Sequence, residues 1–364
     1  MAGVTNSAMK IGIAGAGIMG RLLAWQLLRL GHQVCLFDKD AIESGSASSY
    51  TAASMLAPYS ELESADPLIY QMGQRGLQLW PELVQSLDAQ QSFYQRGSLV
   101  VAYQQDAAEL QRFNLLLQSK LPQYIKAFAV LNQSELAELE PALEQRFTQA
   151  TVLADEAWLH NIEIMSALAL KLLKHGVQWH AKTEVKHLAA GEIRTADKTF
   201  QFDWVIDCRG LGARDDIAKL RGVRGELIWV QAPDVAISRM VRLMHPRYRL
   251  YLVPHRQRQY ILGATQIESE DAGPISVRST LELLSALYAI DPGFAEARII
   301  ATKTNCRPAL LDNHPMISMV DGLIRINGLF RHGFMLSPVL AEEVVAFLGS
   351  GNVKQSNYRQ IYVA

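Results

Sequence analysis

The chain has 364 residues, and its 35 basic and 36 acidic side chains leave a net charge of −1. This length exceeds the usual size of one domain, so we expect two domains or one interleaved pair with a substantial core. The balanced charge gives no bulk reason to expect nucleic acid or an anionic membrane as a partner.

Two further features favour a cytoplasmic protein without a metal site. Residues 1–9 are polar and lack the basic and apolar regions of a leader peptide, and the first apolar run is too short to span a bilayer. The three cysteines, Cys35, Cys208 and Cys306, lie far apart without a neighbouring histidine pattern. Neither a disulfide framework nor a metal site is therefore predicted.

The stretch 10–20 predicts a β-strand and the start of a helix, and the strand-like segment after that helix completes a βαβ unit. Gly15, Gly17 and Gly20 follow the first strand in the pattern G-x-G-x-x-G. The first glycine of this pattern allows a tight turn, the second lets a diphosphate approach the backbone, and the third lets helix and strand pack closely. Asp38 ends the second strand 18 residues after Gly20, where a carboxylate can hold a ribose hydroxyl. The unit therefore predicts dinucleotide binding.

The next segment, residues 43–58, is rich in small and hydroxyl side chains and has no clear period. An ordinary loop and a cofactor-lining segment both fit this composition. Helical spacing and short apolar runs predict the other elements. Helices are predicted over residues 67–87, 106–118, 132–140, 162–175, 280–290 and 337–348, and strands over 33–38, 98–103, 177–180, 202–210, 224–230, 248–254 and 259–265.

The order of these elements predicts two interleaved domains. The buried strand 202–210 ends in glycine and suits the nucleotide-binding sheet, although it lies far along the chain. The strands between residues 224 and 265 predict a mainly antiparallel sheet. We therefore expect an α/β plus α+β fold. The nucleotide-binding domain is predicted over residues 9–75, 150–220 and 301–364, and the substrate domain over residues 76–149 and 221–300.

Several motifs in one order resemble the FAD-dependent glycine oxidase and D-amino acid oxidase family, closest to the glycine oxidases of thiamine synthesis. They are Ala-Ala-Ser-Met-Leu-Ala-Pro at 52–58, Tyr-Leu-Val-Pro at 251–254 with Gly-Ala-Thr at 263–265, Cys-Arg-Pro at 306–308 and the segment 328–338. The resemblance covers almost the whole chain. It implies that the dinucleotide is FAD, bound by a Rossmann-type domain, with its flavin ring at the floor of the substrate domain.

The resemblance also assigns residues to sites. It implies that Tyr251 and Arg307 hold a substrate carboxylate and that Arg331 is the second arginine of this pattern. A planar guanidinium suits this task, because it holds a carboxylate through two charge-assisted hydrogen bonds. The implied cofactor-binding residues are Gly15, Gly17, Gly20, Asp38, Ser54 and Met55 near the flavin, Val185 near the adenine, Gly210 and Gly333.

Four positions depart from the family pattern. Ser54 stands where glycine is usual beside the flavin-side methionine, and Leu329 and His332 replace a histidine and an asparagine around the terminal arginine. Arg209 is an unusual charge beside Gly210. These departures bear on the substrate more than on the FAD site.

The function implied by the resemblance is an FAD-dependent oxidase of a small amino acid or amine, with glycine as the first candidate. Hydride would pass from the substrate Cα to flavin N5, the imine would hydrolyse, and oxygen would reoxidise the flavin to give peroxide. Two alternatives stay open: a flavoprotein that acts on a protein partner, such as a maturation factor of a quinone-cofactor amine oxidase, and an FAD-binding module without turnover. No oligomeric state is predicted.

Overall fold

The computed structural model describes residues 8–121, 128–244, 249–351 and 356–363. Most of the polar N-terminal segment and Tyr248, the predicted first residue of a strand, lie outside the described residues. The same holds for parts of the predicted domains at 122–127, 245–248, 352–355 and 364.

The described residues form eight α-helices, and their starts follow local sequence signals. Asn132 caps one of them through a reciprocal capping box with Glu135, as its position before an apolar run predicts. Asp66 and Ser276 cap two others through their side chains. The helices are α1 (Ile18–Arg29), α2 (Pro58–Glu61), α3 (Pro67–Ser86), α4 (Ala107–Lys120), α5 (Gln133–Leu139), α6 (Asn161–Lys174), α7 (Val277–Ile290) and α8 (Gly333–Ser350).

The strands of the described residues form four sheets. They are β1 (Lys10–Ala14), β2 (Gln33–Phe37), β3 (Met55–Leu56), β4 (Phe93–Tyr94), β5 (Ser98–Ala102), β6 (Phe128–Asn132), β7 (Gln149–Leu153), β8 (Ala157–Leu159), β9 (Gln178–His180), β10 (His187–Ala189), β11 (Glu192–Arg194), β12 (Thr199–Gln201), β13 (Trp204–Asp207), β14 (Arg221–Gln231), β15 (Met240–Met244), β16 (Arg249–Pro254), β17 (Gln259–Gly263), β18 (Arg298–Ala309), β19 (Met316–Val320), β20 (Leu323–Asn327) and β21 (Tyr362–Val363).

The first large sheet has seven strands in the order β21-β19-β20-β13-β1-β2-β9. Strands β1, β2, β9, β13 and β20 run parallel, whereas β19 is antiparallel to β20. A large apolar core joins this sheet to α1, α3, α6 and α8. Its other face packs on the small sheet β10-β11-β12 through Phe37, Leu188, Ile193 and Phe202. Burial on both faces explains the continuous apolar runs of its central strands.

The second large sheet has eight strands in the order β18-β14-β17-β16-β15-β5-β7-β6. Its pairs are antiparallel except for the parallel pair β15 and β5. Helix α7 covers part of one face through Leu283, Leu287 and Ile290. The predicted combination of a Rossmann-type sheet with a mainly antiparallel sheet is therefore confirmed.

The two sheets are interleaved along the chain, and two predicted boundaries fall inside single elements. The boundary between residues 75 and 76 lies within α3, which packs with α8 in the core of the first sheet. The boundary between residues 300 and 301 lies within β18, which pairs with β14 along its length. The division into domains by residue number stays a prediction.

Helix α8 alone among the described helices is long and apolar enough to cross a membrane, judged by length and composition. Half of that helix is buried in the protein, where it packs against α1 and α3. The core helix of a soluble protein passes the same test, so α8 is only weak evidence for a membrane span.

Candidate active site

The loop between β1 and α1 depends on two glycines for its shape. Gly15 has φ +98°, in the left-handed region, and a Cβ atom there would lie 2.4 Å from the carbonyl oxygen of Cys208. A Cβ atom on Gly20 would lie 1.9 Å from the carbonyl oxygen of Gly15. Any larger residue at Gly15 or Gly20 therefore displaces the backbone of this loop. Gly17 caps α1 with extended backbone, and the next amide, of Ile18, donates to Ser49 Oγ at 2.9 Å.

Asp38 joins the end of β2 to this loop. Its Oδ2 accepts a hydrogen bond from the backbone N–H of Ala16 at 2.5 Å, and its Oδ1 accepts one from the N–H of Asp40 at 2.8 Å. A carboxylate offers about four lone-pair sites, so two amide bonds leave capacity for the hydroxyls of a ribose. Asp38 lies on the wall of a cavity that also carries Gly15, Gly17 and Val185.

Arg21 is a buried charge in the N-terminal half of α1, and only 1% of its surface is exposed. Its guanidinium donates to four acceptors, none of which is a carboxylate. They are the carbonyl oxygens of Ala16 (2.7 Å), Met165 (2.7 Å) and Ile42 (2.8 Å) and the hydroxyl of Tyr50 (2.7 Å). Burial lowers the pKa of Arg21, yet the charge adds to the positive end of the helix dipole. This end of α1 therefore suits an anion.

The cavity lined by Gly15, Gly17, Asp38 and Val185, here called the first cavity, has a volume of about 500 Å³. Arg209, the unusual charge beside Gly210, lies on its wall together with Gly210 itself. The Arg209 guanidinium donates to Asp207 at 2.8–2.9 Å and to Asp216 at 2.5 Å. Arg209 is therefore paired with two carboxylates of the protein itself, and its guanidinium forms its hydrogen bonds within the fold.

The second cavity, of about 760 Å³, adjoins the first, because Ser48, Asn305, Phe330 and Gly333 line both. Its wall includes Ser54 and Met55, next to the short sheet of β3, β8 and β4, and residues of β14, β16, β18 and α8. Segment 43–58 thus lines the cavities in part, through residues 46–49, 51–55 and 57.

Ser54 has φ +56°, in the left-handed region that favours glycine. Its carbonyl oxygen accepts from the N–H of Leu159 at 3.1 Å, which fixes the strained residue against β8. This conformation gives the physical reason why glycine is usual here in the family. A serine at this position stores backbone strain beside the second cavity.

Arg307 lies on β18 and on the wall of the second cavity. Its Nη1 and Nη2 donate to the carbonyl oxygen of Thr265 at 3.2 Å, and no carboxylate among the described residues forms a salt bridge with it. Gly225 on β14 leaves room for the guanidinium, because a Cβ atom there would lie 2.2 Å from Nη2. Burial and the positive charge of Arg331 lower the pKa of Arg307 to about 10, so it stays charged at neutral pH. Arg307 is therefore a positive charge that the fold holds in place without a carboxylate partner among the described residues.

Arg331 lies on the same cavity wall but is already paired. Its Nη2 donates to the carboxylate of Glu61 and to Ser64 Oγ, the latter at 2.9 Å, while its buried Nε has no partner among the described residues. Burial would raise the pKa of Glu61, but the charge of Arg331 and its hydrogen bond are the main influences that outweigh burial and hold it below its usual range. Glu61 is therefore an ionised partner of Arg331.

Tyr251 lies on β16 opposite Arg242 of β15, and its side chain reaches the cavity. The Arg242 guanidinium lies 5.5 Å from the centre of the Tyr251 ring and donates to Glu63 and to the carbonyl oxygen of Ser60. Burial raises the pKa of Tyr251. The phenol therefore keeps its proton at neutral pH and can donate a hydrogen bond.

The two residues near the end of the chain that depart from the family pattern line different cavities. Leu329 lies on the wall of the first cavity and His332 on that of the second. Burial lowers the pKa of His332 to about 4, although Glu61, 3.9 Å from its Nε2, acts in the opposite direction. His332 is therefore neutral near pH 7.

The structure brings eleven of the twelve predicted site residues to the two cavities. Gly15, Gly17, Asp38, Val185 and Gly210 line the first, Ser54, Met55, Tyr251, Arg307 and Arg331 line the second, and Gly333 lines both. Gly20 is absent from both walls and packs under the glycine loop. Among the described residues, no group of three or more His, Cys, Asp or Glu side chains is placed to hold a metal ion.

The sequence matches the family of FAD-dependent oxidoreductases over residues 10–347. The chain belongs to this family. A Rhizobium etli protein named as a thiamine biosynthesis oxidoreductase, ThiO, is 37% identical over 92% of this chain and 95% of its own length. The fold resembles the glycine oxidase of Geobacillus kaustophilus (TM-score 0.84, 23% identity, 99% of both chains) and the iminodiacetate oxidase of Chelativorans sp. BNC1 (TM-score 0.82, 24% identity, 97% and 98%).

Membership of this family confirms the predicted cofactor, FAD, and the predicted class of enzyme, an oxidoreductase. The residues present fit the cofactor. The glycine loop has no space for a Cβ atom at Gly15, the end of α1 carries the charge of Arg21 without a carboxylate partner, and the two cavities adjoin each other. A dinucleotide needs this combination of an anion site and an elongated cavity.

Three charged residues of the site were not predicted from the sequence. Arg21 had a usable signal, because it stands three residues after Ile18 and four before Trp25, on the buried face of α1. Glu61 and Arg242 had none, since their partners lie far away along the chain and only the packed fold brings them together.

Proposed function

We propose that the protein oxidises a small amino acid or amine, with glycine as the first candidate. The observation that carries this proposal is Arg307, a guanidinium without a carboxylate partner among the described residues, on the cavity wall that also holds Met55. A buried cation without a counter-charge is costly, so its presence favours an anionic ligand. The α-carboxylate of an amino acid is such a ligand.

FAD, when bound, would accept the hydride from the substrate Cα–H bond, and the chain's residues position Cα. Arg307 holds the carboxylate through charge-assisted hydrogen bonds, which fixes the orientation of Cα. The protonated Tyr251 hydroxyl donates a further hydrogen bond to the same carboxylate. Phe330, Met335 and Leu227 line the cavity and limit the water around Cα.

The other predicted roles belong to the same proposal. Gly15, Gly17 and Asp38 hold the diphosphate and ribose, Val185 contacts the adenine, and Ser54, Met55, Gly210 and Gly333 lie along the rest of the cofactor. The names of the similar proteins support the substrate class, because they refer to thiamine biosynthesis, glycine and iminodiacetate. The predicted cytoplasmic location stays a prediction.

Anaerobic rapid mixing of the holoenzyme with glycine, sarcosine and D-alanine tests the proposal. We expect the visible flavin absorption to bleach with at least one of these amines, with a rate that saturates as the amine concentration rises. Peroxide should form in equal amount when oxygen is admitted. If every small amine leaves the flavin oxidised, the proposal is wrong, and co-purification of a protein that reduces the flavin would favour the alternative of a protein substrate.

A further inference from the structure

Glu61 is held rigidly on the wall of the substrate cavity, although α2 is only one turn long. The backbone N–H and Oγ of Ser60 donate to the buried Glu156 at 2.7 and 2.9 Å. From the other side, Arg242 donates to the carbonyl oxygen of Ser60 at 3.1 Å. The residue before Glu61 is therefore held by two buried polar side chains, which anchor the backbone that carries Glu61.

The contact with Glu61 decides what Arg331 can bind. A guanidinium grips a carboxylate at two points through Nε with Nη2 or through Nη1 with Nη2, so both forks use Nη2. In Arg331 this nitrogen already donates to Glu61 and to Ser64. Arg331 has no free fork while Glu61 is ionised, whereas Arg307 donates only to carbonyl oxygens.

The charges around the substrate position sum to one positive charge. Arg307 and Arg331 are positive, Glu61 is negative, and His332 is neutral because burial lowers its pKa to about 4. Arg278 and Glu282, which also line the cavity, carry opposite charges that cancel. One substrate carboxylate compensates this charge. A second carboxylate would find Arg331 occupied and would meet the negative charge of Glu61, and such like-charge contacts are strongly unfavourable in a desolvated site.

We propose that Glu61 restricts the enzyme to amines that carry a single carboxylate, by occupying Arg331 and repelling a second carboxylate. This inference rests on the proposed function, because it requires that Arg307 binds the first carboxylate. The substrate class is then a small monocarboxylate such as glycine or an N-alkyl glycine. Amines with two carboxylates, such as iminodiacetate or aspartate, are rejected.

The proposed rejection of a second carboxylate by Glu61, here called the charge filter, can be tested with two unreactive ligands of matched shape. Methoxyacetate carries one carboxylate, and diglycolate is the same chain with a second carboxylate added. Binding to the oxidised holoenzyme is followed by the perturbation of the visible flavin spectrum, which requires no turnover. We expect wild type to bind methoxyacetate at least about tenfold more tightly than diglycolate, since a tenfold ratio needs only a small part of a like-charge repulsion.

Removal of the charge should abolish this preference. In Glu61→Gln, and in Glu61→Ala where no amide can retain the Nη2 contact, the dissociation constant of diglycolate relative to methoxyacetate should fall by about tenfold or more. The double variant Glu61→Gln/Arg331→Met should lose this gain, because Arg331 provides it. Glu342→Gln removes a carboxylate of α8 that forms an exposed pair with Arg75 of α3, and it should leave the ratio unchanged.

The outcomes separate the filter from the proposed function. If wild type binds diglycolate as tightly as methoxyacetate, or if both Glu61 variants keep the wild-type ratio, the filter is wrong while the carboxylate site at Arg307 stands. If neither ligand binds to any of the proteins, the proposed function falls and the filter falls with it. Retained gain in the double variant would show that relief of the repulsion by Glu61 is enough to produce it, and would overturn the claim that Glu61 acts by occupying Arg331.

Discussion

The two adjoining cavities, here called the nucleotide half (the first cavity) and the substrate half (the second cavity), differ in how their arginine side chains are paired. Next to the nucleotide half, but not on its wall, Arg21 donates hydrogen bonds only to carbonyl and hydroxyl oxygens. In the substrate half, Arg331 and Arg242 each have a carboxylate partner, and Arg307 alone of these three has none. From this comparison we infer that a guanidinium group without a carboxylate partner marks a region where an anionic ligand supplies the missing charge.

The largest expected effect concerns Arg21. Arg21→Met leaves three carbonyl oxygens and a tyrosine hydroxyl without their donor, and loss of such a buried charged network costs about 3–5 kcal/mol of unfolding free energy. Loss of the positive charge at α1 should also weaken FAD binding and reduce its salt dependence. Thermal unfolding and titration of the apoprotein with FAD, followed by quenching of flavin fluorescence, measure both effects.

The matched control for Arg21 lies at the other end of the same helix. Arg29 is half exposed and 3.8 Å from Glu82, so Arg29→Met should cost less than about 1 kcal/mol and leave FAD affinity unchanged. If Arg21→Met binds FAD with wild-type affinity, the nucleotide half does not use this charge, and the comparison between the two halves fails.

The next effect concerns the shape of the glycine loop. Gly20→Ala places a methyl group 1.9 Å from the carbonyl oxygen of Gly15, and overpacking of this kind costs about 1–3 kcal/mol. The displaced loop should bind FAD at least about tenfold more weakly, since 1.4 kcal/mol is a factor of ten. In Gly31→Ala the methyl group meets no atom within 4 Å, so FAD affinity should be retained despite local strain at φ +84°. Equal FAD affinity in the two variants would contradict the proposed role of the loop.

Acid should destabilise the protein through two neutral histidines, His332 on the wall of the second cavity and His255, which packs against His160 and Trp229. Burial lowers the pKa of His332 to about 4 and that of His255 to about 3. The unfolded chain protonates both rings near pH 6.5, so it binds more protons than the folded protein as the pH falls from 6.5 to about 4. Each ring should remove about 1.4 kcal/mol of stability per pH unit in this window.

Denaturant unfolding at pH 7.5 and at pH 5 measures this loss. His255→Phe removes one buried ring that titrates, so its loss of stability between the two pH values should be smaller than in wild type. His187 is exposed on β10, and His187→Phe should leave the wild-type pH dependence unchanged. A pH dependence in His255→Phe as steep as in wild type would refute the assignment.

The smallest effect concerns Ser54. Relief of the left-handed strain at φ +56° by Ser54→Gly should raise the unfolding free energy by about 0.5–1 kcal/mol, after allowance for the greater flexibility of glycine. Ala53 is not among the residues with positive φ, so Ala53→Gly should lower stability by a similar amount. A stability loss in Ser54→Gly would mean that the serine side chain outweighs its backbone strain.

The nucleotide half was more predictable from the sequence than the substrate half, for a physical reason. Gly15, Gly17 and Asp38 act within one βαβ unit, whose backbone is determined by local turns and apolar periodicity. The cap of α5 at Asn132 and its end before Pro141 were likewise local signals. Such features need no knowledge of distant contacts.

The substrate half depends on contacts between distant segments. Glu61 and Arg331 are 270 residues apart, and neither residue type predicts the other as its partner. Strands β3, β4 and β8 are only two or three residues long and pair across the chain, so no period reveals them. Arg307 was assigned through resemblance alone, because β18 has mixed polarity and lies at the edge of its sheet.

The measurement that tests the central claim most directly is the titration of glycolate into the oxidised holoenzyme and its Arg307→Leu variant. Loss of a charged, desolvated contact costs about 2–5 kcal/mol, so the dissociation constant should rise by about 30-fold to several thousand-fold while FAD stays bound. The same titration of Arg75→Leu, which removes an exposed arginine paired with Glu342, should match wild type. If Arg307→Leu binds glycolate as tightly as wild type, Arg307 is not the carboxylate site, and the account of the substrate half is wrong.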